Sequence, residues 1–142
     1  MTPQELEDRL VDFSVAIIDV VEALPGTKAG NHVAGQLIRS GTSAAPNYGE
    51  ARSAESRRNF IHKMKISLKE LRESLIWLKV IARKRLTVEK VVSDAIKECD
   101  RHDRHFRQEH QNRGRPGFSL TQPKIHNRQP SIVNPLLLTA PG

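Results

Sequence analysis

Apolar residues recur along most of the chain with a helical period, not the alternation of a strand. Leu6, Leu10, Phe13, Ile17, Val20 and Leu24 follow alternating steps of four and three, and Pro25-Gly26 stops the run. A second segment, roughly residues 30–52, places Val33, Leu37, Gly41, Ala44, Tyr48 and Ala51 on one side. A third, roughly 55–84, aligns Phe60, Met64, Ser67, Leu71, Ser74, Leu78 and Ile81, with Ile61, Leu68 and Leu75 beside them. Thr87 is expected to cap a fourth helix on which Val88, Val92, Ala95, Cys99, His102 and Phe106 share a face.

A seven-residue apolar repeat is the packing pattern of helices that cross at a shallow angle. The connections are only a few residues long, so successive helices must run antiparallel. The pattern therefore predicts an all-α fold, an up-down-up-down antiparallel four-helix bundle over residues 1–110. The third helix carries Ile76, Trp77 and Val80 beyond its main stripe, and surplus apolar surface on a rod is usually covered by another copy. A homo-oligomer is expected. Residues 111–142 read differently: Pro116, Pro123, Pro130, Pro135 and Pro141 leave no room for a helix longer than about a turn. They are expected to form a disordered basic tail.

Composition narrows the choices further. Only 4% of the 142 residues are aromatic, too few for an ordinary sandwich or barrel core. Cys99 is the single cysteine, which excludes an intrachain disulfide and a cysteine-based zinc cage. No apolar run approaches the ~20 residues of a membrane helix, and Glu5, Glu7 and Asp8 stand where a signal peptide would be positive. A cytoplasmic protein with no membrane contact is expected.

The net charge of +7 is unevenly placed: −4 over residues 1–51, +8 over 52–85, −1 over 86–110 and +4 over 111–142. Within the basic segment, Arg58, Lys65, Lys69, Arg72, Lys79 and Arg83 recur at helical steps and form one row opposite most of the apolar residues. Glu73 stands four residues after Lys69 and is expected to neutralise it in part. Facing solvent, such a row offers phosphate contacts over roughly 38 Å. No aromatic residue interleaves it, so base stacking is not expected and contacts would be mainly to phosphates. A plain solvated helix face and a dock for an acidic protein are the competing readings.

The second segment is unusually polar for a helix. Arg39, Ser43, Asn47 and Glu50 fall on one face, Pro46 predicts a kink or break, and Gly41, Ala44 and Ala45 allow close helix approach. A polar seam that sets register and a ligand contact are both compatible with this string. The run from Gln36 through Arg39, Ser40, Ser43, Pro46, Asn47 and Glu50 to Ala51 resembles the signature of a bacterial four-helix-bundle family. Its founding members are encoded in intervening sequences of large-subunit ribosomal RNA genes. The likeness continues through residues 60–66 and 68–74 to Trp77-Leu78, covers roughly residues 5–105, and omits the tail. The resemblance implies a ring-like homo-oligomer, a pentamer. A related branch is the accessory protein of diversity-generating retroelements, which engages a reverse transcriptase and RNA. It also implies that Arg39, Ser40, Ser43, Asn47 and Glu50 are this chain's copies of the family positions. It implies no enzymatic activity and no cofactor.

Two weaker constellations bear on chemistry. Cys99, His102, Asp103, His105 and His110 gather late in the fourth helix, but Cys99 and His102 also lie on its apolar stripe, where packing is the ordinary role. Arg104 precedes His110 by six residues, and Arg57 precedes His62 by five, spacings that resemble those of metal-independent helical-bundle ribonucleases. There, Arg would stabilise phosphate charge while His moves a proton. The chain is rich in both residue types, which makes loose matches common. The expected function is a non-enzymatic, homo-oligomeric adaptor binding RNA or DNA through its basic row. The alternatives are a purely protein-binding bundle and, less favoured, a ribonuclease.

Overall fold

The structure is a computed structural model and describes residues 1–113. It contains α1 (Pro3–Glu22), α2 (Lys28–Gly41), α3 (Ala44–Arg52), α4 (Arg57–Lys84) and α5 (Glu89–Arg113). No strand occurs among the described residues, so the fold is all-α. α2 and α3 are two parts of one arm, which makes four arms in all. α5 continues three residues past the expected boundary at 110, since no proline stands before residue 116. The expected tail, from residue 114 onward, lies outside the described residues.

Local chemistry sets the helix ends. Thr2 and Glu5 form a reciprocal capping box ahead of Pro3, with the Glu5 N–H donating to Thr2 Oγ1 at 3.1 Å. The Thr27 and Ser56 hydroxyls cap α2 and α4 by accepting from the N–H groups of Gly30 and Asn59. Arg85 ends α4 in the left-handed region at φ 55°. α5 begins at Glu89, two residues after the anticipated cap Thr87, and this leaves Val88 exposed ahead of the helix instead of in its core.

The proline effect falls four residues before the proline. The helical ladder is interrupted at Thr42 and Ser43, because the Pro46 ring crowds the Thr42 carbonyl and Pro46 has no N–H to offer it. Ser43 keeps helical angles (φ −90°, ψ −23°), and its hydroxyl donates to the Arg39 carbonyl at 2.5 Å. Thr42 Oγ1 does the same to Ile38. The two hydroxyls thus serve carbonyls at the end of α2.

Contacts fix the directions of the arms. Ser14 meets Gly41 while Arg52 meets Gln4 and Glu7, so α2 and α3 return along α1. Ser40 faces Ser74, Ala44 faces Ser67 and Glu50 faces Lys63, so α4 runs back along that arm. The short link at residues 85–88 then sends α5 back along α4. The core is assembled from the expected stripes: Leu6, Leu10, Phe13, Ile17, Leu37, Tyr48, Leu71, Leu78, Ile81, Cys99 and Phe106 are all buried.

At Gly41 the backbone of α2 approaches α1 closely. A Cβ added there would lie 2.5 Å from Ile17 Cγ2, well inside contact distance. Gly41→Ala is therefore expected to lower stability by about 1–2 kcal/mol, because overpacking outweighs the helix propensity gained. Urea unfolding checks this, and a variant as stable as wild type would show that the two arms simply move apart.

Candidate nucleic-acid interface

All six residues of the basic row on α4 are exposed: Arg58, Lys65, Lys69, Arg72, Lys79 and Arg83. They lie on the side of the helix turned away from buried Met64, Leu71 and Leu78. Arg72 donates from Nε to Asp103 Oδ1 at 3.1 Å and remains about half exposed. The other five have no carboxylate partner among the described residues. The expected Lys69–Glu73 pair does not form. Glu73 turns instead to Arg39 on α2, whose guanidinium also reaches Glu70 at 3.4 Å. A planar fork spanning two carboxylates one helical turn apart outcompetes a neighbouring lysine on the same helix.

Arg39 belongs to a seam that joins α2 and α3 to α4. Ser40 and Ser74 are fully buried and face each other, Oγ to Oγ, at 3.0 Å. The buried Ser67 hydroxyl donates to the Ala44 carbonyl at 2.8 Å. Asn47 Nδ2 donates to the Ser43 carbonyl at 2.8 Å, and Glu50 pairs with Lys63. Of the motif residues, Ser40 is spent on the α2–α4 contact, Ser43 and Asn47 on the helix break, and Arg39 and Glu50 on ion pairs to α4. Three small, hydrogen-bonded serines allow close helix approach and fix its register.

The residues that first suggested chemistry are engaged in packing. The Cys99 thiol donates to the Leu71 carbonyl at 3.0 Å, and burial, followed by the charges of Asp100 and Asp103, pushes its pKa up to about 12. It is a neutral thiol at any ordinary pH. His102 is buried edge-on to Phe13, with ring centroids 5.8 Å apart. Asp103 is gripped by Arg72 and Arg107, and His105 approaches Glu109 at 3.8 Å. No three of His, Cys, Asp and Glu among the described residues are placed to share a metal ion. Arg57, His62 and Arg104 are exposed, and the side chain of His110 lies outside the described residues.

A family model described as 23S rRNA-intervening sequence protein matches residues 5–107. The chain belongs to this family. A solved structure similar to it is a protein of unknown function from the S23 ribosomal protein family of Bacteroides thetaiotaomicron VPI-5482. The two share 27% identity at a TM-score of 0.68, over 73% of this chain and 96% of that one. Comparison with curated proteins returns no match. The matched span of the intervening sequence protein family contains the polar seam and the whole basic row of α4.

One face was not anticipated from the sequence. Val11, Val15 and Ile18 point outward from α1, opposite its core stripe. Their spacing is as helical as that of Leu10, Phe13 and Ile17, so the signal was present, and only burial told the two stripes apart.

Proposed function

We propose that this chain is a non-enzymatic, self-associating helical adaptor of the cytoplasm that holds RNA or DNA by its phosphates along α4. The observation carrying this reading is the row of six exposed cationic residues over roughly 38 Å, five of them without a carboxylate partner. Elsewhere on the bundle, Arg9, Arg39, Arg52, Lys63 and Arg107 are each matched to an acid, while exposed Lys28, Lys84, Arg85, Lys97 and Arg104 have no acid partner among the described residues, so what sets the row apart is its alignment along one helix face. Long flexible cations in line suit a regularly charged backbone, and sequence selectivity would then fall to nucleic-acid shape or to a protein partner such as a reverse transcriptase. The engagement of Cys99 and His102 in packing supports a binding role over a chemical one.

Fluorescence anisotropy with a structured RNA and a duplex DNA across a salt series is the test. Binding is expected at low salt, with log affinity falling against log salt at a slope of about −3 to −5. Lys65→Glu with Lys69→Glu is expected to weaken binding by about 10–100-fold and to flatten the slope by about 2. Lys90→Glu with Lys97→Glu changes net charge equally on the outer side of α5 and is expected to cost several-fold less. Equal losses from both pairs would reduce the effect to net charge, and no binding at 50 mM salt (roughly a 14 Å screening length) would end the reading. Exposed Ile76 and Val80 on the same face are not explained by phosphate contacts and favour a protein contact near the C-terminal end of α4.

A further inference from the structure

Two ring pairs, Phe13 with His102 and Tyr48 with Phe106, lie in the core, each ring at most 2% exposed. A further pair, His32 of α2 with Trp77 of α4, stands at the surface: His32 is exposed and Trp77 is only half-buried. Its ring centroids are 5.9 Å apart and its planes meet at 78°, so the two rings make an open corner. Trp77 lies about 100° round α4 from Ile76, which shares the face of the cationic row, and is thus on the flank turned to α2. Lys28 precedes His32 by one turn of α2, and Lys84 follows Trp77 by two turns of α4. Because α2 and α4 run antiparallel, both lysines stand at the same end of the corner. Both are exposed, with no carboxylate partner among the described residues. Glu73, one turn from Trp77 on the other side, is already matched by Arg39.

We propose that the corner formed by Trp77 and His32 stacks an unpaired base of a bound nucleic-acid strand, with Lys28 and Lys84 holding the phosphates beside that base. The inference rests on the nucleic-acid reading and adds to it a preference for single strand over duplex. Aromatic rings gain most by lying offset on a face or by meeting it edge-on, and two planes nearly at right angles offer a base both contacts at once. Within a duplex the faces of each base are covered by its neighbours in the stack, so an unpaired base is the one that fits. Unmatched cations beside the rings select an anionic ligand, which a nucleotide is. The row on α4 carries no aromatic residue of its own, which is why its spacing predicts phosphate contacts alone. The rings reach its flank from two different helices, a pairing that only packing creates.

Trp77 is the only tryptophan in the chain, so its fluorescence reports on the site directly. The probes are a single-stranded oligothymidylate, an abasic strand of equal length with the same phosphates, and a duplex. The oligothymidylate is expected to quench Trp77 and to bind about 5–100-fold more tightly than the abasic strand, while the abasic strand and the duplex leave the emission unchanged. His32→Ala, at an exposed position, is expected to reduce that ratio several-fold; Trp77→Leu is expected to bring it near one, and Trp77→Phe to retain most of it. Circular dichroism verifies folding, and His32→Ala decides if Trp77→Leu does not fold. Lys65→Glu with Lys69→Glu is expected to weaken both strands alike and leave their ratio standing. An abasic strand bound as tightly as the oligothymidylate, equal quenching by the duplex, or a ratio untouched by the ring substitutions would overturn the stack and leave the phosphate row intact. A ratio that persists while Lys65→Glu with Lys69→Glu costs no affinity would instead overturn the row and keep the stack, so the two readings fail separately.

Discussion

Phe106→Ala is expected to destabilise the bundle by about 3–5 kcal/mol, the usual cost of truncating a fully buried aromatic ring. Phe106 projects from α5 into the core, where it is 1% exposed and meets the Tyr48 ring of α3 edge-on at 5.6 Å. The ring contact therefore links α5 to α3. Truncation opens a cavity at that junction, and the edge-to-face interaction, worth about 0.5–1.5 kcal/mol, is lost with it. A domain of this size has total stability of only about 5–15 kcal/mol, so the variant stands near the limit of folding. Urea denaturation should show a much lower midpoint with an unchanged slope. A loss below about 1 kcal/mol would mean that the junction collapses around the vacancy and that Phe106 is not a keystone of the core.

Acidification is expected to weaken the fold through His102. Burial, first of all, pushes its pKa down from 6.5 to about 4; Glu98 opposes the shift, while Arg9, Arg101 and His105 reinforce it. The geometry agrees. The ring is 1% exposed, Nε2 has no hydrogen-bond partner, and the Glu98 carboxylate 3.3 Å away is shared with Arg9 at 3.1 Å and Arg101 at 2.6 Å. Below the unfolded pKa, the unfolded chain binds a proton that the folded chain refuses. Stability is therefore complete above pH 6.5 and falls as pH drops toward 4, by roughly 2–3 kcal/mol in all. His102→Leu keeps a similar volume beside Phe13 and is expected to remove this part of the pH dependence. Parallel unfolding titrations between pH 7.5 and pH 4.5 compare the two chains, and identical slopes would show that His102 is protonated as easily folded as unfolded.

Much of this was legible in the residues because helical periodicity is a local property. The stripes starting at Leu6, Val33, Phe60 and Val88 identify the buried faces, with Phe60 only half-buried and Val88 itself exposed, since a residue's side of a helix follows from its position alone. The break in the second arm followed from Pro46 by the same local logic, although it falls at Thr42 and Ser43, where the ring's clash and the missing donor act. The cations of α4 share a face for the same reason. Which of them find partners depends on other helices and could not be read locally: Glu73 was within reach of Lys69, and the position of Arg39 across the groove decided otherwise.

The sequence by itself determined four helical arms, their core faces and the gathering of positive charge on one of them. The tertiary structure decided which acids each cation meets, that Ser40 and Ser74 face each other in the dark, that His102 lies beyond reach of water, and that no described residue covers Val11, Val15 and Ile18. The division has a physical cause. Periodicity is set by bonds between near neighbours along the chain, whereas partnership, burial and pKa are set by distances between residues that only packing brings together.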